Sequence, residues 1–209
     1  MRFPEIGIGI LRNPPSRADF GAFETRIVSD PGDFQKIACI RAVAFMGEQA
    51  CPYEEEFDGN DYTSTHLIVL RHHEPVATLR LRWFAGFGKV ERVCVIPRFR
   101  GTPAVKILIA HAFELAARKG YRRMIAQIQS RLTDLWWNTA HCRLVKDRPA
   151  FFFSDYEYRE IELTVPVHPH AIHHLSDPYL LIRPEGDWDR KGVLERSQMR
   201  RHAGEDEAA

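Results

Sequence analysis

The chain has 209 residues, with Lys plus Arg 29 against Asp plus Glu 28 and a formal net charge of +1. That length fits one domain of ordinary size with a small appendage. The even balance supplies no whole-molecule field for nucleic acid or a membrane surface, so any charge logic has to be local. Cys39, Cys51, Cys94 and Cys142 stand far apart without CxxC spacing. No secretory pattern precedes them, which predicts free thiols in a cytoplasmic protein. The run "IGIGIL" is far too short to span a bilayer.

Residues 1–22 mix Pro and Gly with a short apolar run and read as an arm or small hairpin ahead of the domain, not as a helix. "FETRIVS" then reads as a strand. "DPGDFQKIACIRAVAF" reads as a helix, with Asp30 or Asp33 as cap, Pro31 in the first turn, and Phe34, Ile37 and Ile40 on one stripe. "EQACPYEEEFDGND" is an acidic loop with room for a helical turn. "STHLIVLRH", "EPVATLRLRWF" and "GKVERVCVI" are three strands whose short connections predict antiparallel neighbours.

A helix from about Thr102 to Lys119 ends at Gly120, suited to a left-handed cap, and "YRRMIAQIQ" follows as a strand. A strand, a crossover helix and a strand of this length make a parallel pair. "SRLTDLWWNTAHC" reads as a second helix and "FFFSDYEYREIELTV" as a strand. After Pro166 come a His-rich loop, a short strand candidate "PYLLIRP" and a polar tail expected to be disordered. The sum is a mixed α/β fold with a largely antiparallel sheet and helices on its faces. The expected division is an arm over 1–22, a domain over 23–165 and an extension over 166–209.

The stretch from Val90 to Gly120 carries the functional signal. A strand that ends in a loop opening a helix points backbone N–H groups at one spot, where the helix dipole adds partial positive charge. Arg98 and Arg100 surround that spot with further charge. Such a loop suits a pyrophosphate. The order of elements and this motif, on Val95, Arg98, Gly101 and Pro103, resemble the GNAT acyltransferases over roughly Phe23 to Val165. Their pattern has Gly or Ala where this chain has Pro103, which brings no N–H donor but suits the first turn of a helix.

The resemblance implies the GNAT acyl-CoA N-acyltransferase fold, and an acyl group, acetyl foremost, moved from acetyl-CoA or another acyl-CoA to a small-molecule primary amine. It implies donor binding by Val93, Cys94, Val95, Arg98, Arg100, Gly101, Thr102 and Ala104. A second resemblance, to acyl-homoserine lactone synthases and N-acyl amino acid synthases, rests on Arg41 with Phe45, Asp58 with Asp61, Arg80 with Leu81, and Arg92 with Val95. Those enzymes often take the acyl group from an acyl carrier protein. They also tend to carry a tryptophan soon after the Phe, and no tryptophan stands before Trp83 here.

Acyl transfer to an amine needs a proton acceptor for the amine, stabilisation of the oxyanion and a proton for the leaving thiolate. Glu91 alternates with Val93 and Val95, so it faces the cleft as base or pairs with Lys89 or Arg82. By the same alternation Arg92 points to the opposite face, toward the acidic segment. Tyr156 and Tyr158 share a strand face and are the candidates to protonate the thiolate, with Ser154 as an alternative. Asp58, Asp61 and Arg80 are the acceptor-binding candidates. His168, His170, His173 and His174 have ligand-rich composition, but no Cys or carboxylate pattern completes a metal site, and none is expected. One of Trp136 and Trp137 is free to line the cleft. A carrier-protein partner, a homodimer and a non-catalytic binding module on the same scaffold stay open. "ARKGYRR" is a helix end and a strand, and no nucleic-acid or membrane partner is expected.

Overall fold

The computed structural model describes residues 3–197. Its first elements correct the reading of the N-terminal stretch, which carries two short helices, α1 (Glu5–Ile8) and α2 (Arg17–Ala22). Ser16 caps α2 in a reciprocal box with Asp19. An isolated helix as short as α1 does not hold in water. It holds here because Glu114, on the long helix Ala104–Arg118, accepts hydrogen bonds from the Ile6 and Gly7 N–H groups at 3.0 and 3.2 Å. The approach is so close that a Cβ on Gly7 would lie 1.8 Å from the Ala110 carbonyl oxygen.

Strand β1 (Glu24–Ile27) leads to α3 (Pro31–Arg41), which Asp30 caps by accepting from the Asp33 N–H at 2.9 Å, with Pro31 at its start. A π-helical turn, Ala42–Gly47, extends α3, and α4 (Tyr53–Glu56) is the helical turn of the acidic loop. Strands β2 (Thr65–Arg71), β3 (Glu74–Phe84) and β4 (Phe87–Val95) form an antiparallel meander. Helix α5 (Ala104–Arg118) crosses to β5 (Arg123–Gln129), which runs parallel to β4. Gly120, at φ +84°, takes the left-handed position beyond α5.

Helix α6 (Thr133–Thr139) follows, then β6 (Cys142–Leu144), which the sequence reading did not contain. The strand expected over the FFF and YEYREIELT stretches is instead a hairpin, β7 (Phe151–Phe153) and β8 (Tyr156–Thr164). Its two turn residues, Ser154 and Asp155, have φ of +45° and +62°, the left-handed pair that a two-residue hairpin turn requires. The sheet order is β1-β2-β3-β4-β5-β8-β6, with β7 also on β8, and every pairing except β4 with β5 is antiparallel.

Strand β2 is buried on both faces. Ile68 and Leu70 pack with Ile37, Ile40, Ala44 and Cys94 on the α3 side. By alternation Leu67 and Val69 turn to the opposite face, where α5 packs on the sheet. Each such side chain contributes about 1.5–3 kcal/mol of burial. This unit reaches Ala171, and a second begins at Ile172. In the second, the expected strand "PYLLIRP" is a helix, α7 (Pro178–Leu181), because Asp177 accepts from the Tyr179 N–H at 2.8 Å and Pro178 opens the turn. No helix among the described residues is long and apolar enough to cross a membrane.

Candidate active site

Strands β4 and β5 pair only over Gly88–Val90 with Met124–Ala126. From Glu91 onward β4 keeps β3 as neighbour, and no strand among the described residues pairs with its other edge. A bulge sharpens the divergence: Thr78 faces Cys94 and Arg80 faces Glu91, so Leu79 stands opposite both Arg92 and Val93, and Arg92 has φ +51°. The bulge also corrects the simple alternation predicted for this strand. Arg92 does not turn away from Glu91; both belong to one ionic network.

Two cavities open at the divergence, one of about 370 Å³ and one of about 530 Å³, and both reach Val93 and Trp136. Trp136 is thus the member of the tryptophan pair that lines the cleft. The larger cavity is bordered by Val93, Cys94, Val95, Arg100, Gly101 and Thr102, six of the residues expected to hold the donor. Gly101 has φ +80°, and Thr102 closes the turn through its N–H to the Phe99 carbonyl at 3.3 Å. Pro103 caps α5 from its first-turn conformation, so its missing N–H costs the helix nothing, and the first-turn amides of Val105 and Lys106 have no intrahelical partner.

The other two donor candidates fall elsewhere. Arg98 is largely exposed and pairs with Glu74, away from the cavity lining. Ala104 is fully buried, and its N–H reaches the Thr102 hydroxyl at 3.4 Å. Burial pushes the Cys94 thiol far up, so this residue offers its backbone and no thiolate.

Beside the smaller cavity lies a chain of buried ion pairs. Arg80 donates to Asp58 at 2.7 and 2.8 Å, to Asp61 at 2.9 Å and to Glu91 at 2.6 and 2.9 Å. Arg41 donates to Asp61 at 2.7 Å and to Glu56. Arg92 reaches Glu56 at 3.0 Å and Asp58 at 3.3 Å. Burial works to raise the Asp58, Asp61 and Glu91 carboxyls, but the hydrogen bonds and charges of Arg80, Arg41 and Lys89 outweigh it and hold all three below the usual carboxylate range.

Asp58 and Asp61, expected to receive a cationic amine, therefore already face arginines. Asp58 borders the cavity, whereas Asp61 and Arg80 stand behind it. Glu91 also borders it, paired with Lys89 at 2.6 Å, with Arg80, and with Arg82 at 3.8 Å.

Tyr158 faces the smaller cavity, where its hydroxyl accepts from Gln129 Nε2 at 3.1 Å; the same Nε2 donates to Gln49 at 2.7 Å. Burial pushes the phenol up, against the hydrogen bond from Gln129, so the hydroxyl keeps its proton. Tyr156 borders the larger cavity, with Arg131 over its ring at 5.0 Å.

Sequence reasoning missed Gln49, Gln129, Cys51 and Glu55, all of which line the smaller cavity. A lone Gln carries no pattern, and "EEE" reads as a solvated charge run. His168, from the His-rich loop, pairs with Glu114 at 3.2 Å. The arrangement places open backbone and a basic loop on one side of a gap, and protonated and ionised side chains on the other.

The acetyltransferase (GNAT) family model matches residues 35–144, more than half of the chain. The chain belongs to this family. Over 81 residues it is 38% identical to the uncharacterized N-acetyltransferase YjcF of Bacillus subtilis, a match covering 39% of this chain and 57% of that protein. The chain thus spans little more than half of that relative's length. Among solved structures, Escherichia coli ElaA superposes with TM-score 0.60 at 18% identity, covering 68% of this chain and 99% of that one. FeeM, an N-acyl amino acid synthase from uncultured soil microbes, superposes with TM-score 0.58 at 10% identity, over 83% of this chain and 97% of its own. At those identities the two structures speak for the fold alone.

Proposed function

We propose that this chain is an N-acyltransferase that moves an acetyl group from acetyl-CoA to a small primary amine. The observation that carries the reading is the divergence of β4 from β5 with one cavity on each side meeting at Val93. The larger cavity, with the Gly101 turn and the start of α5, takes the CoA pyrophosphate and pantetheine. The β4 edge at Val93 to Val95 pairs with pantetheine and polarises the thioester carbonyl. The amine enters from the smaller cavity, and Tyr158 gives the leaving thiolate its proton.

The test is thermal unfolding with acetyl-CoA, because a ligand that binds only the folded state raises the midpoint. Saturation at about one hundred times the dissociation constant adds about 2.7 kcal/mol. That is a rise of about 5–10 °C for a chain of this size. Gly101→Glu should abolish the rise by placing a carboxylate in the anion cradle. An unchanged midpoint with acetyl-CoA refutes the reading.

A second reading, an N-acyl amino acid synthase fed by an acyl carrier protein, is favoured by the extent of the likeness to FeeM. A midpoint that rises only with long-chain acyl donors or acylated carrier protein would select it.

A further inference from the structure

The ionic network leaves one lining carboxylate out. Of the four that border the smaller cavity, Glu56 is held by Arg41 and Arg92, Asp58 by Arg80 and Arg92, and Glu91 by Arg80 and Lys89. Among the described residues no side-chain cation pairs with Glu55. Its carboxylate instead accepts a hydrogen bond from the Ser154 hydroxyl, which also lies 3.4 Å from Cys51 Sγ. Ser154 stands in the left-handed turn between β7 and β8. The guanidinium of Arg92 is near, but it donates to the Glu55 backbone carbonyl, at 2.6 Å. Tyr158, Cys51 and Ser154 line the same cavity as Glu55.

A carboxylate gripped by two or three cations has no face left for a substrate ammonium; this holds for Glu56 too, where burial raises the carboxyl despite Arg41 and Arg92 but the two arginines take one oxygen each. A carboxylate whose side-chain partner is one neutral hydroxyl leaves its charge uncompensated for an incoming ammonium. We infer that Glu55, positioned by Ser154, binds the acceptor ammonium and acts as the general base of the transfer. This rests on the acyltransferase reading above and replaces Glu91 as the expected base.

The step balances. The bound ammonium first gives one proton to Glu55, which passes it to solvent; the neutral nitrogen then forms its bond to the thioester carbon as the carbon–sulfur bond breaks, its second proton passes to Glu55, and Tyr158 protonates the departing thiolate. Exchange with solvent then returns a proton to Tyr158 and removes one from Glu55.

The experiment measures release of the CoA thiol from acetyl-CoA by the full chain, with L-lysine, spermidine and an aminoglycoside as acceptors, for wild type, Glu55→Gln and Ser154→Ala. Glu55→Gln should lower kcat/KM for the amine at least about 100-fold, with the acetyl-CoA-induced rise in unfolding midpoint unchanged. Ser154→Ala should lower it about tenfold, the value of one hydrogen bond to a charged group. If Glu55→Gln fails to fold, the Ser154→Ala result decides. Activity of Glu55→Gln within threefold of wild type, or of Ser154→Ala equal to wild type, overturns the assignment while leaving the acyltransferase reading intact. Absence of thiol release by wild type with every amine overturns that reading, and this inference with it.

Discussion

Arg80→Met removes the centre of the ionic network, and the structure sets the size of the consequence. Arg80 is 1% exposed and contacts three carboxylates, those of Asp58, Asp61 and Glu91. Methionine keeps an unbranched, apolar side chain of comparable reach, so most packing survives and the lost charge dominates. The three carboxylates are not stranded: Asp58 keeps Arg92, Asp61 keeps Arg41 and Glu91 keeps Lys89. The cost is therefore that of breaking one buried ion-pair site, about 3–5 kcal/mol, not three times that. For a chain of this size it corresponds to a fall of about 6–20 °C in Tm.

The effect has a defined pH dependence. The three carboxyls are depressed in the folded state below unfolded values near about 4, so they contribute stability that is present above that pH and lost as pH falls through their folded pKa. Arg80→Met removes part of that contribution, so the gap between wild type and variant is full at neutral pH and narrows in acid. Urea unfolding at neutral pH and at pH values below the carboxylate range measures both quantities. A neutral-pH loss under about 1 kcal/mol, set against the 3–5 expected for a buried pair, would refute the argument. So would a gap that stays constant into acid.

Three further outcomes follow from particular contacts. Tyr158→Phe deletes the hydroxyl that accepts from Gln129; kcat should fall about 100-fold while KM for acetyl-CoA holds, in a steady-state thiol-release assay. Gly101→Ala meets open space but must hold φ near +80°; the left-handed backbone costs about 1–2 kcal/mol, read as a lower unfolding midpoint. Gly7→Ala forces α1 away from the Ala110 carbonyl at a cost of about 1–3 kcal/mol, and hydrogen exchange should show faster exchange at the Ile6 and Gly7 amides that Glu114 now protects.

Local patterning determined much of this protein. Apolar and β-branched runs bounded by turn residues set β2, β3 and β4, short connections made them antiparallel, and a 15-residue apolar helix between strands made β4 and β5 parallel. Asp30, Pro31 and Gly120 marked helix ends through capping chemistry that acts within a few residues. The basic glycine turn before α5 was legible for the same reason: its chemistry is backbone geometry at one place in the chain.

Only the tertiary structure decided the rest. α1 became a helix because Glu114, more than 100 residues away, satisfies its first amides. A bulge at Arg92 overrode strand alternation and joined Arg92 to the same network as Glu91. Glu54, Glu55 and Glu56 are identical as letters. Yet Glu56 is 1% exposed and held by arginines from α3 and β4, whereas the Glu55 carboxylate, among the described residues, accepts from the Ser154 hydroxyl of the β7–β8 turn and pairs with no side-chain cation. Whether a carboxylate serves as counter-ion or base depends on which charges the fold brings within a few ångströms of it, and sequence spacing carries no record of that distance.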